Sequence, residues 1–330
     1  MHKVLEAQVH QVVPVDVETR EDGWALRIWN IIQGLRTLRE TGMTRELEVW
    51  GVIDGQVING VIDEVSYTCP DPELEEALQK AKRTPNQKTI TESFASQSVN
   101  ASAWLTPPRP DRKVYLTDVK TRSVKSLPKG ASLRPMQMQL MLYHRLLTEL
   151  ATNKVSADVV FNRYHLNTQT PLSDSFIAAI ASLDDSFVQQ TDRPSAAFND
   201  NPTAISELSQ HNSLTQLWSL MITEFQQTIP SADAMGLVLA AEFRSQKDGA
   251  VIGSKSFAYD DEVHRAYVAD GMRWWQGERA ARGVEIEEAF KCGICEFAES
   301  CEWRIRKMEE ATQRFRERRD ARTRGKDEVL

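Results

Sequence analysis

The alternation of apolar and polar positions divides the chain into recognisable elements before any chemistry is considered. Residues 2–13 read as a short first helix. From Ala25 to Thr41, Leu26, Trp29, Ile32, Leu35 and Leu38 recur at helical spacing, which predicts an amphipathic helix with this stripe in the core. Glu46 to Val52 and Gln56 to Tyr67 alternate with a period of two about Asp54-Gly55, the pattern of a hairpin with a tight turn. Residues 70–112 are rich in Pro, Ser, Thr, Asn and Gln and predict a flexible insertion. An apolar strand, Val114-Tyr-Leu-Thr-Asp118-Val-Lys120, follows. Then comes a helix opening at Arg134-Pro135, where proline suits the first turn. Val155 to Tyr164 reads as a strand, and residues 167–213 as polar loop with one helix. Gly236 to Arg244 and Val251 to Asp260 read as two strands, and Asp261 to about Arg282 as a helix carrying Trp274-Trp275, which we expect to pack on the segment that follows. Strands interspersed with helices predict an α/β fold with a mixed central sheet.

Composition changes this picture little. A chain of 330 residues can bury a sizeable core, and its 41% apolar and 26% charged residues are ordinary for a globular protein. No apolar run reaches the roughly 18 residues of a membrane-spanning helix, so no membrane partner is expected. The sequence shows no signal or transit peptide. The net charge of −7 is unevenly spread: ten Lys/Arg stand against four Asp/Glu between Arg304 and Lys326, a polar, helix-forming tail. Such a tail is either a solvated helix or a track for a phosphate backbone. Arg112, Lys113, Arg122, Lys125 and Lys129 add positive charge around the Asp118 strand.

Three groups of residues carry candidate chemistry. Asp118 and Lys120, two apart on a strand, share a face. Asp63, in Asn59-Gly-Val-Ile-Asp63-Glu64, sits on another strand. If the strands are neighbours, two carboxylates face one point; such a pair holds Mg²⁺ or Mn²⁺, and an adjacent ammonium can orient a water. The alternative is two solvated acids at strand ends. Gln139 and Tyr143, four apart, lie on one face of the helix that follows. Finally, Cys292-Gly-Ile-Cys295 and Cys301 form a C-x₂-C-x₅-C run, the grouping of thiolates that holds an iron–sulfur cluster or Zn²⁺ in a reduced compartment.

The order strand-Asp, D-x-K, Q-x₃-Y and C-terminal C-x₂-C-x₅-C resembles the exonuclease V family, RecB-like PD-(D/E)XK nucleases with an iron–sulfur cluster. The phrasing Arg45-Glu-Leu-Glu-Val-Trp50-Gly and Gly60-Val-Ile-Asp63-Glu64 looks like its fungal branch. The likeness runs from about residue 1 to residue 303. It implies a restriction-endonuclease-like core over residues 1–303, with the insertion at 70–112 and a cluster segment at 286–303, followed by a basic tail over 304–330. It implies a metal-dependent exonuclease acting on single-stranded DNA, here expected as a monomer, in mitochondrial and also nuclear DNA maintenance or repair. Asp63 and Asp118 match the metal-binding acids, Lys120 the catalytic lysine, and Gln139 and Tyr143 the motif on the following helix. His2 and Glu6, four apart on the first helix, match a histidine and glutamate beside the metal, whereas His10 is read as a surface or packing histidine. Cys292, Cys295 and Cys301 match three of the four ligands of a [4Fe–4S] cluster. The family's fourth cysteine precedes the first helix, so we expect either a truncated chain or Cys69 as the fourth ligand. Two other classes remain: a catalytically impaired module that grips single strands, and a zinc-stabilised scaffold in which the acids are incidental.

Overall fold

The structure, a computed structural model, describes residues 17–82, 112–190 and 204–327. The helix expected over residues 2–13, with His2, Glu6 and His10, lies outside the described residues, as does most of the 70–112 segment. The chain divides into two compact units: residues up to 127 together with 136–264, and residues 128–135 together with 265–330.

The first unit is built on a five-stranded mixed sheet whose spatial order follows the chain, β1-β2-β3-β4-β5. The strands are β1 (Met43–Ile53), β2 (Gln56–Ser66), β3 (Val114–Arg122), β4 (Met235–Ser245) and β5 (Val251–Ala258). Among the described strands only β3 and β4 run parallel. Parallel neighbours need a long crossover, and the helices between β3 and β4 supply it. The β1–β2 turn has positive φ at both Asp54 (48°) and Gly55 (76°), which matches the right-handed twist of the flanking strands.

Helix α1 (Arg20–Thr41) starts with a capping box: Asp22 N donates to Thr19 Oγ1 at 3.0 Å and Thr19 N donates back to Asp22 Oδ2 at 3.2 Å. The same buried carboxylate accepts bonds from Ser173 N and Oγ, at 3.0 and 2.9 Å, which tie the helix start to a distant loop. It ends at Gly42, whose left-handed φ of 89° lets its N–H cap Leu38 O. Leu26, expected in the core stripe, is only half-buried; the stripe is Trp24, Ala25, Ile28, Trp29, Ile31, Ile32, Leu35 and Leu38.

Val155–Tyr164 is not a strand. It folds as helix α4 (Ala157–Arg163), after helices α2 (Pro72–Lys82) and α3 (Arg134–Ala151). The reason is packing. Phe161 lies 6.3 Å from Trp24 and 5.3 Å from Trp218, edge-on to both, while Trp50 stacks on Trp218 at 5.7 Å. A helix delivers Val160 and Phe161 together into this aromatic cluster, overriding the β-propensity of the Val159-Val160-Phe161 run.

Among the described residues of 167–213 there are two helices rather than one, α5 (Asp174–Gln190) and α6 (Ala204–Gln210). With α7 (Leu214–Thr228), the second of these forms a largely buried ionic network on α1. Arg36 binds Glu207 through both terminal nitrogens (2.6 and 2.7 Å) and Glu224 through Nε (2.9 Å), while Arg39 reaches Glu224 and Thr228. Desolvation opposes the guanidinium charge of Arg36, but bonding to the two glutamates outweighs it and raises its pKa.

Part of the segment expected to be a flexible insertion is ordered. Helix α2 seats its buried Glu75 at the start of β4, where the carboxylate accepts from Leu237 N and Val238 N at 2.8 and 3.1 Å and pairs with Lys113 at 3.4 Å.

The second unit contains the part of helix α8 (Asp261–Trp275) from Arg265 onward, a 3₁₀ segment (Ile286–Ile294) and helix α9 (Glu302–Asp327). Trp303 closes on Gly283, where a Cβ would lie 2.0 Å from its ring. Trp274 and Trp275, expected to pack on the cysteine run, are instead 49% and 69% exposed. Among the described residues no helix is long and apolar enough to cross a membrane.

His144 gives a test of packing in the first unit. It is buried, its Nε2 lies 3.1 Å from Gly236 O, and its ring stacks on Tyr259 at 4.0 Å. The carbonyl contact places the proton on Nε2. Burial holds its pKa at about 4, below the ordinary 6.5, with Lys82 and His264 acting in the same direction. Between these two values the unfolded chain binds a proton that the native one does not, so stability falls as pH falls. With a native pKa of about 4, the His144 contribution to that loss is about 3 kcal/mol. His144→Phe keeps the ring stack and removes the titration. Chemical denaturation at pH 4 to 7 should therefore show a shallower loss of stability on acidification than in the parent.

Candidate active site

The hairpin turn sets the register of β1 on β2, pairing Arg45 with Glu64 and Leu47 with Ile62. The rung between them, which would oppose Glu46 and Asp63, is skipped, and Glu46 adopts a left-handed φ of 51°. On its other side, β2 pairs with β3 through Ser66–Tyr115, Val65–Leu116 and Glu64–Thr117, and the ladder stops there. The next rung would set Asp63 opposite Asp118. Asp63 is thus released from both ladders. Its carboxylate takes over a ladder function, accepting from Val119 N at 2.6 Å. This bond holds Asp63 against the strand position next to Asp118.

Asp118 and Lys120 project from β3 as their spacing predicts. Lys120 Nζ lies 3.0 Å from the Asp118 carboxylate and donates to Gln139 Oε1 at 3.3 Å. Gln139 Nε2 in turn donates to Tyr143 Oη at 3.0 Å. A chain of side-chain bonds therefore runs from the acid on β3 to the middle of α3. Asp118 is 3% exposed, whereas the Lys120 side chain is 39% exposed. The acid is buried beside its counter-charge and the ammonium remains open to solvent. Asp63, Asp118, Lys120, Gln139 and Tyr143, selected from the sequence, are brought into one connected set through these bonds and the Val119 N–H.

The residues that allow α3 to approach are not among those the sequence singled out. A Cβ on Gly60 would lie 2.4 Å from the Tyr143 ring, and one on Gly51 would lie 2.3 Å from Leu146. Both glycines face α3 from the hairpin, and their bare Cα atoms let the helix seat close to β1 and β2. The signal was present as Gly60, three residues before Asp63 in the same motif.

A second charge group beside the site was also missed from sequence alone. Arg45 binds Glu64 at 3.1 Å, and Arg244 binds Glu242 at 2.5 Å. Burial raises the Glu64 pKa, with Glu242 and Asp63 adding to the rise and Arg45 and Arg244 opposing it. The two-residue turn at Asp54-Gly55 dictates the Arg45–Glu64 pairing and could have predicted it; the approach of β4 could not be read.

The donor chemistry fits a hard divalent cation. Asp63 and Asp118 offer carboxylate oxygens of the kind Mg²⁺ and Mn²⁺ prefer, with a lysine beside them. Among the described residues no group of three or more His, Cys, Asp or Glu is placed to hold a metal. His2 and Glu6 lie outside the described residues. The cysteines differ. Cys292 and Cys301 are half-buried and Cys295 is exposed, all in the second unit, and the described positions do not gather them as a ligand set. Cys69 belongs to the first unit, where it bonds the Tyr115 hydroxyl, whose pKa is raised mainly by burial.

Gly60→Ala tests the seating of α3. The added methyl must displace the Tyr143 ring, an overpacking cost of about 1–3 kcal/mol. Thermal melting should show that loss, and the Lys120–Gln139–Tyr143 chain should loosen with it. Unchanged stability would mean that α3 does not rest on Gly60.

The family model for exonuclease V, described as a 5′ deoxyribonuclease, matches residues 1–304. The zebrafish (Danio rerio) protein named exonuclease V is 26% identical over 304 residues, covering 92% of this chain and 60% of its own length. The Kluyveromyces lactis protein named mitochondrial exonuclease V is 26% identical over 220 residues, covering 56% of this chain and 38% of its own length. The chain thus spans under two thirds of either relative. A family model that matches residues 1–304 of the 330 places this protein in the exonuclease V family.

Proposed function

We propose that this chain forms the nuclease body of a metal-dependent 5′ exodeoxyribonuclease with a PD-(D/E)XK core, acting on single-stranded DNA. The observation that carries the reading is the linked set of two acids, a lysine, a glutamine and a tyrosine on three adjoining elements. The match to a family described as 5′ deoxyribonucleases supports the substrate and the polarity. In this reading Asp63 and Asp118 hold Mg²⁺ or Mn²⁺, and His2 and Glu6 complete the shell. The metal, when bound, supplies Lewis acidity toward the scissile phosphate and lowers the pKa of the attacking water.

The chain's own residues perform the remaining work. The Val119 N–H fixes one Asp63 oxygen, so the carboxylate need not reorganise when substrate arrives. Lys120, held by Asp118 on one side and Gln139 on the other, presents an ammonium where negative charge develops on the phosphate. Gln139 is oriented by Tyr143 and orients Lys120; both are positioning residues. Cys292, Cys295 and Cys301 are proposed to bind a [4Fe–4S] cluster. Such a cluster would stabilise the segment that carries them without a redox step, because ligand assembly is also folding energy. The protein is proposed to act as a monomer in mitochondrial DNA maintenance, the compartment named for the Kluyveromyces relative.

Asp118→Ala and Lys120→Ala should each abolish Mg²⁺-dependent release of nucleotides from 5′-labelled single-stranded DNA while binding in EDTA persists. Parent-like turnover in either variant would remove these residues from the chemistry. Blocking the 5′ end, but not the 3′ end, should stop degradation; the opposite pattern would reverse the polarity.

For the cluster, anaerobically purified protein should contain iron and acid-labile sulfide, and Cys295→Ser should lose both together. Stoichiometric zinc without sulfide would replace the cluster with a structural zinc site.

A further inference from the structure

The family match ends at residue 304, yet the chain continues as an unbroken helix, α9, to Asp327. Packing does not explain the middle of this helix. Every residue from Ala311 to Arg319 is exposed, and Ile305, Met308 and Phe315 present 44%, 57% and 68% of their surface. Among its described side chains, Lys307 and Arg314 share Glu310, at 2.8 and 3.7 Å. Against that stand like charges one turn apart, Arg314 and Arg318, which destabilise a free helix. The segment from Arg304 to Lys326 carries ten basic and four acidic residues, which leaves a formal charge of −13 on the rest of the chain. The acidic total therefore hides a strongly basic helix.

The same unit exposes two large aromatic rings. Trp274 and Trp275, at the end of α8, lie 6.4 Å apart and remain about half and two-thirds exposed. Both rings therefore offer flat apolar faces to solvent. Basic side chains for phosphates and flat rings for bases are the two components of sequence-independent single-strand binding.

We propose that the second unit is an accessory grip for a single nucleic-acid strand, separate from the catalytic set, in which Arg306, Arg314, Arg316 and Arg318 neutralise phosphates and Trp275 stacks on a base. The partner is committed by charge complementarity: a polyanion relieves the arginine repulsion along α9, and a single strand offers bare base faces that a duplex does not. This grip rests on the proposed function and deepens it, by holding the strand while the first unit acts on it.

The test uses the full chain and fluorescein-labelled oligo-dT in EDTA, read by anisotropy over a series of KCl concentrations. The fourfold variant Arg306→Gln, Arg314→Gln, Arg316→Gln and Arg318→Gln keeps good helix formers, and far-UV circular dichroism verifies that α9 persists. Its slope of log affinity on log salt should be shallower by about 0.7 for each phosphate that is no longer neutralised, a reduction of roughly 1 to 3. Trp275→Ala should bind roughly ten-fold more weakly, the scale of one missing base stack, with its salt slope unchanged. With Mg²⁺ present, the fourfold variant should raise KM and leave kcat near the parent value. Parent-like affinity and slope in the fourfold variant would overturn the grip, as would binding of α9 to vesicles of phosphatidylcholine and phosphatidylserine in place of DNA. If the parent chain binds the strand in EDTA with a steep, arginine-dependent slope but releases no nucleotides with Mg²⁺, the nuclease reading fails and the grip stands.

Discussion

The bond from Val119 N to Asp63 is the contact on which the candidate site depends. A strand residue normally commits its backbone to two ladders. Here no register pair joins Asp63 to Glu46, although Arg45–Glu64 and Leu47–Ile62 pair on either side, and β2 and β3 diverge beyond Glu64–Thr117. A buried amide left on β3 by that divergence would cost a full desolvation penalty of about 1–3 kcal/mol. The Asp63 carboxylate satisfies it, and the same bond fixes the acid beside Asp118. Sheet irregularity and site geometry are one feature: the strand opens, and the acid fills the opening.

The rest of the first unit holds this arrangement still. Lys120 links the acid on β3 to Gln139 and Tyr143 on α3, and α3 can lie close enough only because Gly60 and Gly51 present no side chain. Elsewhere in the unit, the Trp24, Trp50, Phe161 and Trp218 cluster and the Arg36–Glu207–Glu224 network lock α1 to the crossover helices. At the start of β4, Glu75 caps the amides of the parallel strand. Helix α2, which precedes β3 in the chain, is thereby tied to the start of the strand that pairs in parallel with β3. Preorganised charges of this kind need no rearrangement when charge develops on a substrate.

The chain itself specified several local elements and the spacing of the candidate site residues. Asp54-Gly55 determined a two-residue turn, and with it the β1–β2 register. The D-x-K spacing put Asp118 and Lys120 on one face, and the four-residue spacing put Gln139 and Tyr143 on another, because strand and helix periods are fixed by backbone geometry. These are properties of a few consecutive residues. Tertiary structure decided whatever required distant segments to meet. Val155–Tyr164 carries a β-branched run, yet became helical because only a helix brings Val160 and Phe161 together into the aromatic cluster. Pro72–Lys82 lies in a stretch with the composition of a loop, yet Glu75 found amides at the start of β4. The release of Asp63 from both ladders, the approach of α3 over Gly60 and the meeting of Glu64 with Glu242 each depend on strands far apart in the chain. No local period encodes such meetings; the balance of burial, hydrogen-bond satisfaction and steric clearance in the folded protein settles them.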